Sequence, residues 1–162
     1  MIDWISTKVA MSLAALLLLA GSVSFFLAQQ NQARNDALQS IADRAAAYFD
    51  EVSRSPGETA TSISLGPGGT LDLPGLAAGE VYSLTLYRQY VVAARGGERA
   101  FAILETPIHM WQPRARNYTA SEVADLDTLH PSLTLESGGT VIVSRRSLTI
   151  DGIPTLETFA FP

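Results

Sequence analysis

Twenty consecutive residues without a charge, Val9–Ala28 (VAMSLAALLLLAGSVSFFLA), limit what this chain can become. At about 1.5 Å rise per residue such a helix spans roughly 30 Å, the hydrocarbon thickness of a bilayer. It is apolar on every face, and a soluble domain of this size has no interior to surround it. The segment therefore reads as a transmembrane helix in contact with the lipid bilayer. Trp4, between Asp3 and Lys8, marks one interface, and the polar run Gln29–Gln32 followed by Arg34 marks the other. Positive charge is nearly balanced across the span, with Lys8 before it and Arg34 and Arg44 after it. Residues 1–8 are read as a short cytoplasmic flank because of the plan of the remaining chain, not because of that count. The competing reading is a secretory signal peptide, with Ser22-Val23-Ser24 as its cleavage site. Against it, the apolar run continues through Phe25-Phe26-Leu27.

Helical character is expected to continue past the bilayer. Residues 29–53 contain neither Gly nor Pro, and apolar positions recur at Leu38, Ala42, Ala45, Phe49 and Val52. Spacings of four, three, four and three trace one helical face, which Ile41, Ala46 and Tyr48 widen. Asp36, Asp43, Arg44, Asp50 and Glu51 are assigned to the solvated side, and Ser55-Pro56-Gly57 ends the helix. The amphipathic segment thus covers residues 29–55. It either continues the span directly or forms a separate helix after a joint at Gln29–Gln32.

From residue 57 to 162 the period changes to two, predicting a β-rich, sandwich-like extracellular domain and an α+β chain overall. Strands are expected at Thr61–Leu65, Glu80–Tyr87, Tyr90–Ala94 and Ala100–Leu104, with a short extended piece at Leu71–Leu73. Leu133–Glu136 and Thr140–Ser144 read as a hairpin around Ser137-Gly138-Gly139. Ser147–Ile150 and Ile153–Phe161 read as another around Asp151-Gly152, a pair suited to a type I′ turn. Pro107, Pro113 and Pro131 disfavour strands over 105–131, where Ala120–Leu129 holds one short helix.

Little in the sequence points to chemistry. The absence of cysteine removes disulfides, thiolate metal sites and cysteine nucleophiles. A net charge of −5 disfavours nucleic-acid binding through a basic surface. His109 and His130 have no second ligand at helical spacing, and Gly66–Gly69 lacks the ending of a phosphate-binding loop. Asp125 and Asp127 are read as a solvated pair, and Arg145-Arg146 as edge protection between two strands. No cofactor, metal or small-molecule substrate is assigned, and the chain is read as a non-enzyme. Asn117-Tyr118-Thr119, in a non-strand segment, is an N-glycosylation acceptor triplet.

An apolar helix that continues as an amphipathic one and ends in a β-rich head resembles a subunit of the type IV pilin superfamily. The archaeal branch of pilins and archaellins is the closer likeness. The resemblance is one of plan: Lys8 is followed by Val9 and Ala10, without the family's Gly-containing peptidase site, and the span carries no carboxylate. It implies a cell-surface filament in which Val9–Ala28 bundles with other pilin-like subunits, while Leu38, Ala42, Ala45, Phe49 and Val52 face the head or adjacent helices. Within the span, Ala14, Gly21 and Ser24 share a side among large leucines such as Leu17, which suits close helix–helix packing. The alternative is a single-pass membrane protein whose extracellular β-domain binds an envelope partner or polymer.

Overall fold

A computed structural model describes residues 2–77 and 79–162, with side chains described for Met11 and from residue 13 onward, Ala78 excepted. The assignments to the side chains of Trp4, Lys8 and Ala10 lie outside the described residues. The first helix, α1, covers Ile2–Ser53 without interruption, including Gln29–Arg34. The chain divides into two compact units, Met1–Arg34 and Asn35–Pro162, so the C-terminal part of α1 belongs to the head.

In the head, the stripe read from the sequence is the buried one. Leu38, Ile41, Ala42, Ala45, Ala46 and Phe49 are each at most 4% exposed, while Tyr48 and Val52 are half-buried against the same cluster. Asp36, Asp43, Arg44 and Glu51 remain exposed, as the period requires. Asp50 departs from that expectation. It is buried, and its Oδ1 accepts hydrogen bonds from the backbone N–H groups of Glu105 (2.9 Å) and Thr106 (3.2 Å). Gln39 Nε2 likewise donates to Phe101 O at 2.9 Å. These polar side chains of α1 satisfy backbone groups of the neighbouring strand and its following turn.

The strands are β1 (Thr59–Ser64), β2 (Ser83–Tyr87), β3 (Tyr90–Arg95), β4 (Glu98–Ile103), β5 (Ile108–His109), β6 (Asn117–Tyr118), β7 (Ser132–Glu136), β8 (Thr140–Ile150) and β9 (Ile153–Phe161). A second helix, α2 (Ala120–Leu129), lies between β6 and β7. One sheet has the order β1-β8-β9-β5, with β6 also paired to β8, and the other has the order β4-β3-β2-β7. All pairings are antiparallel except the two-residue β5–β9 and β6–β8 contacts, which are parallel. Both sheets and α1 feed one apolar cluster: Ile63, Val141, Val143 and Ala160 from the first sheet, and Leu84, Leu86, Val91, Ala93 and Leu135 from the second. The α+β class with a β-rich head is therefore what the chain forms.

Strand alternation explains a second cluster. The neighbouring β8 and β9 residues Leu148, Phe159 and Phe161 face the other way and pack with Trp111 and Val123. The first sheet is thus covered on both faces, and α2 with the preceding loop forms the extra layer. Thr119 caps α2: its hydroxyl accepts from Glu122 N, and the Glu122 carboxylate accepts from Thr119 N.

Several sequence expectations need correction. Leu133–Glu136 and Thr140–Ser144 are not paired with each other. β7 pairs with β2 in one sheet, while β8 pairs with β1 and β9 in the other. The turn between them, closed by Gly139 N to Glu136 O at 2.9 Å with Gly138 at φ 91°, passes the chain from sheet to sheet. Thr140–Ser144 and Ser147–Ile150 are one 11-residue strand, so Arg145-Arg146 lies inside β8. Asp151 and Gly152, at φ 50° and 83°, do form the tight β8–β9 turn. Leu71–Leu73 is turn and irregular chain, with Leu73 buried, and β5 and β6 add short pairings where prolines argued against any strand.

Phe49 is fully buried in the cluster that joins α1 to both sheets. Replacing Phe49 with Ala is expected to destabilise the head by about 3–5 kcal/mol. Exposed Arg44→Ala should change stability by less than about 0.5 kcal/mol. Chemical denaturation of the detergent-solubilised chain followed by far-UV circular dichroism checks both values.

Candidate functional site

Two regions of the described chain demand a functional account. The first is the apolar half of α1. Every large apolar side chain from Met11 to Leu27 with a described surface is 50–74% exposed. This stretch is long and apolar enough to cross a membrane or to serve as an export signal, and none of it is buried by the chain itself. Ala14, Leu17, Gly21 and Ser24 are all exposed on it, and a Cβ built on Gly21 would meet nothing within 4 Å. Ser22 conceals its hydroxyl by donating to Leu18 O at 2.8 Å, the usual way a helix carries serine through an apolar medium.

The second region is a polar cluster at the layer formed by α2. Asp127 projects from the same face of α2 as Val123 and Leu126, at helical spacing. Its Oδ1 is 2.6 Å from His109 Nδ1 and accepts from Trp111 Nε1 at 2.9 Å. Arg88 Nη1, from the β2–β3 turn, lies 2.8 Å from Asp127 Oδ2, an ion pair without hydrogen-bond alignment. On the other side of the imidazole, Nε2 is 3.5 Å from Glu157 Oε2 on β9. The ring itself is 3% exposed and stacks on Phe159, with centroids 5.2 Å apart, beside Trp111. Asp127 is therefore not the solvated carboxylate that its sequence neighbourhood suggests. Asp125, two residues earlier, is exposed.

Burial alone would push the His109 pKa down, but hydrogen bonds and charge from Glu157 and Asp127 outweigh it and raise it above the ordinary 6.5. The hydrogen bond from His109 lowers the Glu157 pKa below 4.5 against the opposing effect of burial, helped by the charges of His109 and Arg88. With His109 neutral, two carboxylates face one guanidinium. Protonation of His109 neutralises the group.

A cleft of about 250 Å³ opens beside this cluster, lined by Arg88, His109, Val123, Asp127 and Glu157 among others. None of its lining side chains is a hydroxyl or a thiol, and both imidazole nitrogens already face carboxylates. The arrangement braces α2 and β9 to the β2–β3 turn. His130, the C-cap residue of α2, is exposed. Among the described residues no three ligand-type side chains converge to hold an ion.

Asn117 is exposed on β6, not in a non-strand segment, and the Thr119 hydroxyl of its triplet is engaged in the α2 cap. The cluster around His109 was missed from sequence because its members come from four separated places in the chain. One signal was present: a carboxylate on the Val123–Leu126 face of a predicted helix must be paired if that face is buried. No protein-family model, curated protein or solved structure matches the chain.

The pKa directions set a pH window. The contribution of His109 is fully present below about 6.5 and is lost as pH rises through its higher folded value. That of Glu157 is present above about 4.5 and is lost as pH falls through its lower folded value. The brace should thus be strongest between about pH 4.5 and 6.5. In a Trp4→Phe background, Trp111 fluorescence should titrate with a midpoint above 6.5, and His109→Gln should abolish that transition. Asp127→Ala, which removes the acceptor of His109 and Trp111 and the counter-charge of Arg88, should cost about 3 kcal/mol in denaturant melts.

Proposed function

We propose that this chain is a non-enzymatic structural protein of the cell surface, anchored by α1 and assembling through it in the manner of a pilin-like filament subunit. Its N-terminus lies in the cytoplasm and the β-rich head outside. The observation that carries this reading is the uniform exposure of Leu13, Leu16–Leu19, Val23 and Phe25–Leu27. Such a surface is costly in water at about 25 cal/mol per Å² and needs lipid or neighbouring helices around it. Assembly is supported by the open space at Gly21, where a second helix can approach closely. The contact assigned to the second copy comprises Ala14, Leu17, Gly21 and Ser24.

A second reading is supported by the division of the chain after Arg34. In it, the helix is an anchor for a monomer whose head binds an envelope partner or polymer. Limited proteolysis of the detergent-solubilised chain separates the two. Rapid cleavage at Arg34 favours the anchored module, whereas protection through Arg44 favours the filament subunit.

The assembly reading predicts that electron microscopy of surface filaments finds this chain within them. It also predicts that Gly21→Leu reduces crosslinked oligomers in membranes severalfold while the head's melting transition stays unchanged. Recovery of the chain only as a monomer in membrane extracts, or wild-type crosslinking by the Gly21 variant, would contradict assembly through this face.

A further inference from the structure

One edge of β8 is incompletely paired. β1 covers it as far as Arg145, opposite Thr59, and β6 resumes at Thr149. Between them, Arg146, Ser147 and Leu148 have no strand on that side among the described residues. A cleft of about 320 Å³ opens in the gap, and Glu58, Arg116, Arg145 and Arg146 are its charged lining. Three guanidinium groups there meet one carboxylate, a formal +2 in a chain whose net charge is −5.

The internal partners leave most of that positive charge unspent. Glu58 is already engaged, since its Oε1 accepts from Ser147 N at 3.0 Å. Its Oε2 is 3.8 Å from Arg116 Nη2, a loose contact for an arginine side chain that is 81% exposed. Arg145 donates from Nη1 to Ser55 O, but its Nε is buried with no acceptor. Arg146 stands opposite Glu157 in the β8–β9 register, yet Glu157 turns to His109 instead. Among the described residues Arg146 has no ion pair. Arg116 and Arg146 thus present two exposed guanidinium groups with free donors at the cleft, a site that an anion would complete.

We propose that this cleft binds an oxyanion, a phosphate, sulfate or carboxylate group, either as a free ion or as a substituent of an anionic polymer. Planar guanidinium forks recognise all three groups by paired N–H donors, and Arg116 and Arg146 supply the exposed ones. Arg145, also in the lining, is already held by its bond to Ser55 O. The cleft is independent of α1's apolar surface, so the inference stands whether or not the chain assembles.

The test uses the full chain in non-ionic detergent at pH 7, titrated calorimetrically with inorganic phosphate at constant ionic strength. Saturable binding is expected, weakened at least about tenfold in Arg116→Gln/Arg146→Gln, whose substituted side chains are exposed. Glu58→Gln keeps an acceptor for Ser147 N but removes the competing charge, and it should tighten binding; a misfolded variant would not do so. An oligogalacturonate binding more tightly than phosphate identifies a polymer as the source, and equal or weaker binding identifies the free ion. The proposal is overturned if neither probe binds saturably, or if the double arginine variant binds as well as the wild type.

Discussion

Ala42, Ala45 and Ala46 line the stripe by which α1 enters the head, with Leu38, Ile41 and Phe49 beside them. Small side chains let a helix lie close to strands, and the large ones between them fill the space that remains. Strands from both sheets contribute to the cluster that receives this stripe, so the head's core is built around a helix whose other end is apolar on all sides. The domain does not close its core without those helical residues. The segment that continues the membrane-type helix is therefore also a structural member of the head.

Once a helix occupies that position, the polar groups at its flanks must be resolved. β4 is the edge strand of its sheet, and such an edge presents unpaired backbone groups. Gln39 takes one of its carbonyls and Asp50 takes the two N–H groups just beyond it. One acceptor of that edge and two donors of the turn after it are thereby satisfied. The same economy operates in the outer layer, where Asp127 serves His109, Trp111 and Arg88 together. That arrangement diverts Glu157 from its cross-strand neighbour Arg146 and leaves the arginine cleft electrically unbalanced. Two features that look unrelated in sequence are coupled through one carboxylate.

Local rules were sufficient wherever one element decides its own form. The helical stripe Leu38–Val52, the extent of α2, the Arg88-Gln89 and Asp151-Gly152 turns and the alternation of β2 all follow from period, capping and turn chemistry. Such signals depend on residues within a few positions of one another. They failed at Glu136–Thr140, where a turn that resembles a hairpin joins strands of different sheets. A tight turn constrains only four residues, while the partner of each strand depends on which face the core must cover. They failed also at Asp50 and Asp127, read as solvated by the charges around them and in fact holding backbone N–H groups and an imidazole.

The sequence by itself determined that an apolar helix of bilayer length is followed by an amphipathic one and then by short strands, because hydrophobic periodicity is a local property of the chain. It determined equally which side of the amphipathic helix is buried. Tertiary structure alone decided that the first sheet is covered on both faces, and that His109, Asp127, Glu157 and Arg88 meet. It alone opened the gap between β1 and β6 that gathers three arginines around one cleft. Those features join residues far apart in the chain, and their electrostatics depend on distances of a few ångströms that no spacing along the sequence encodes.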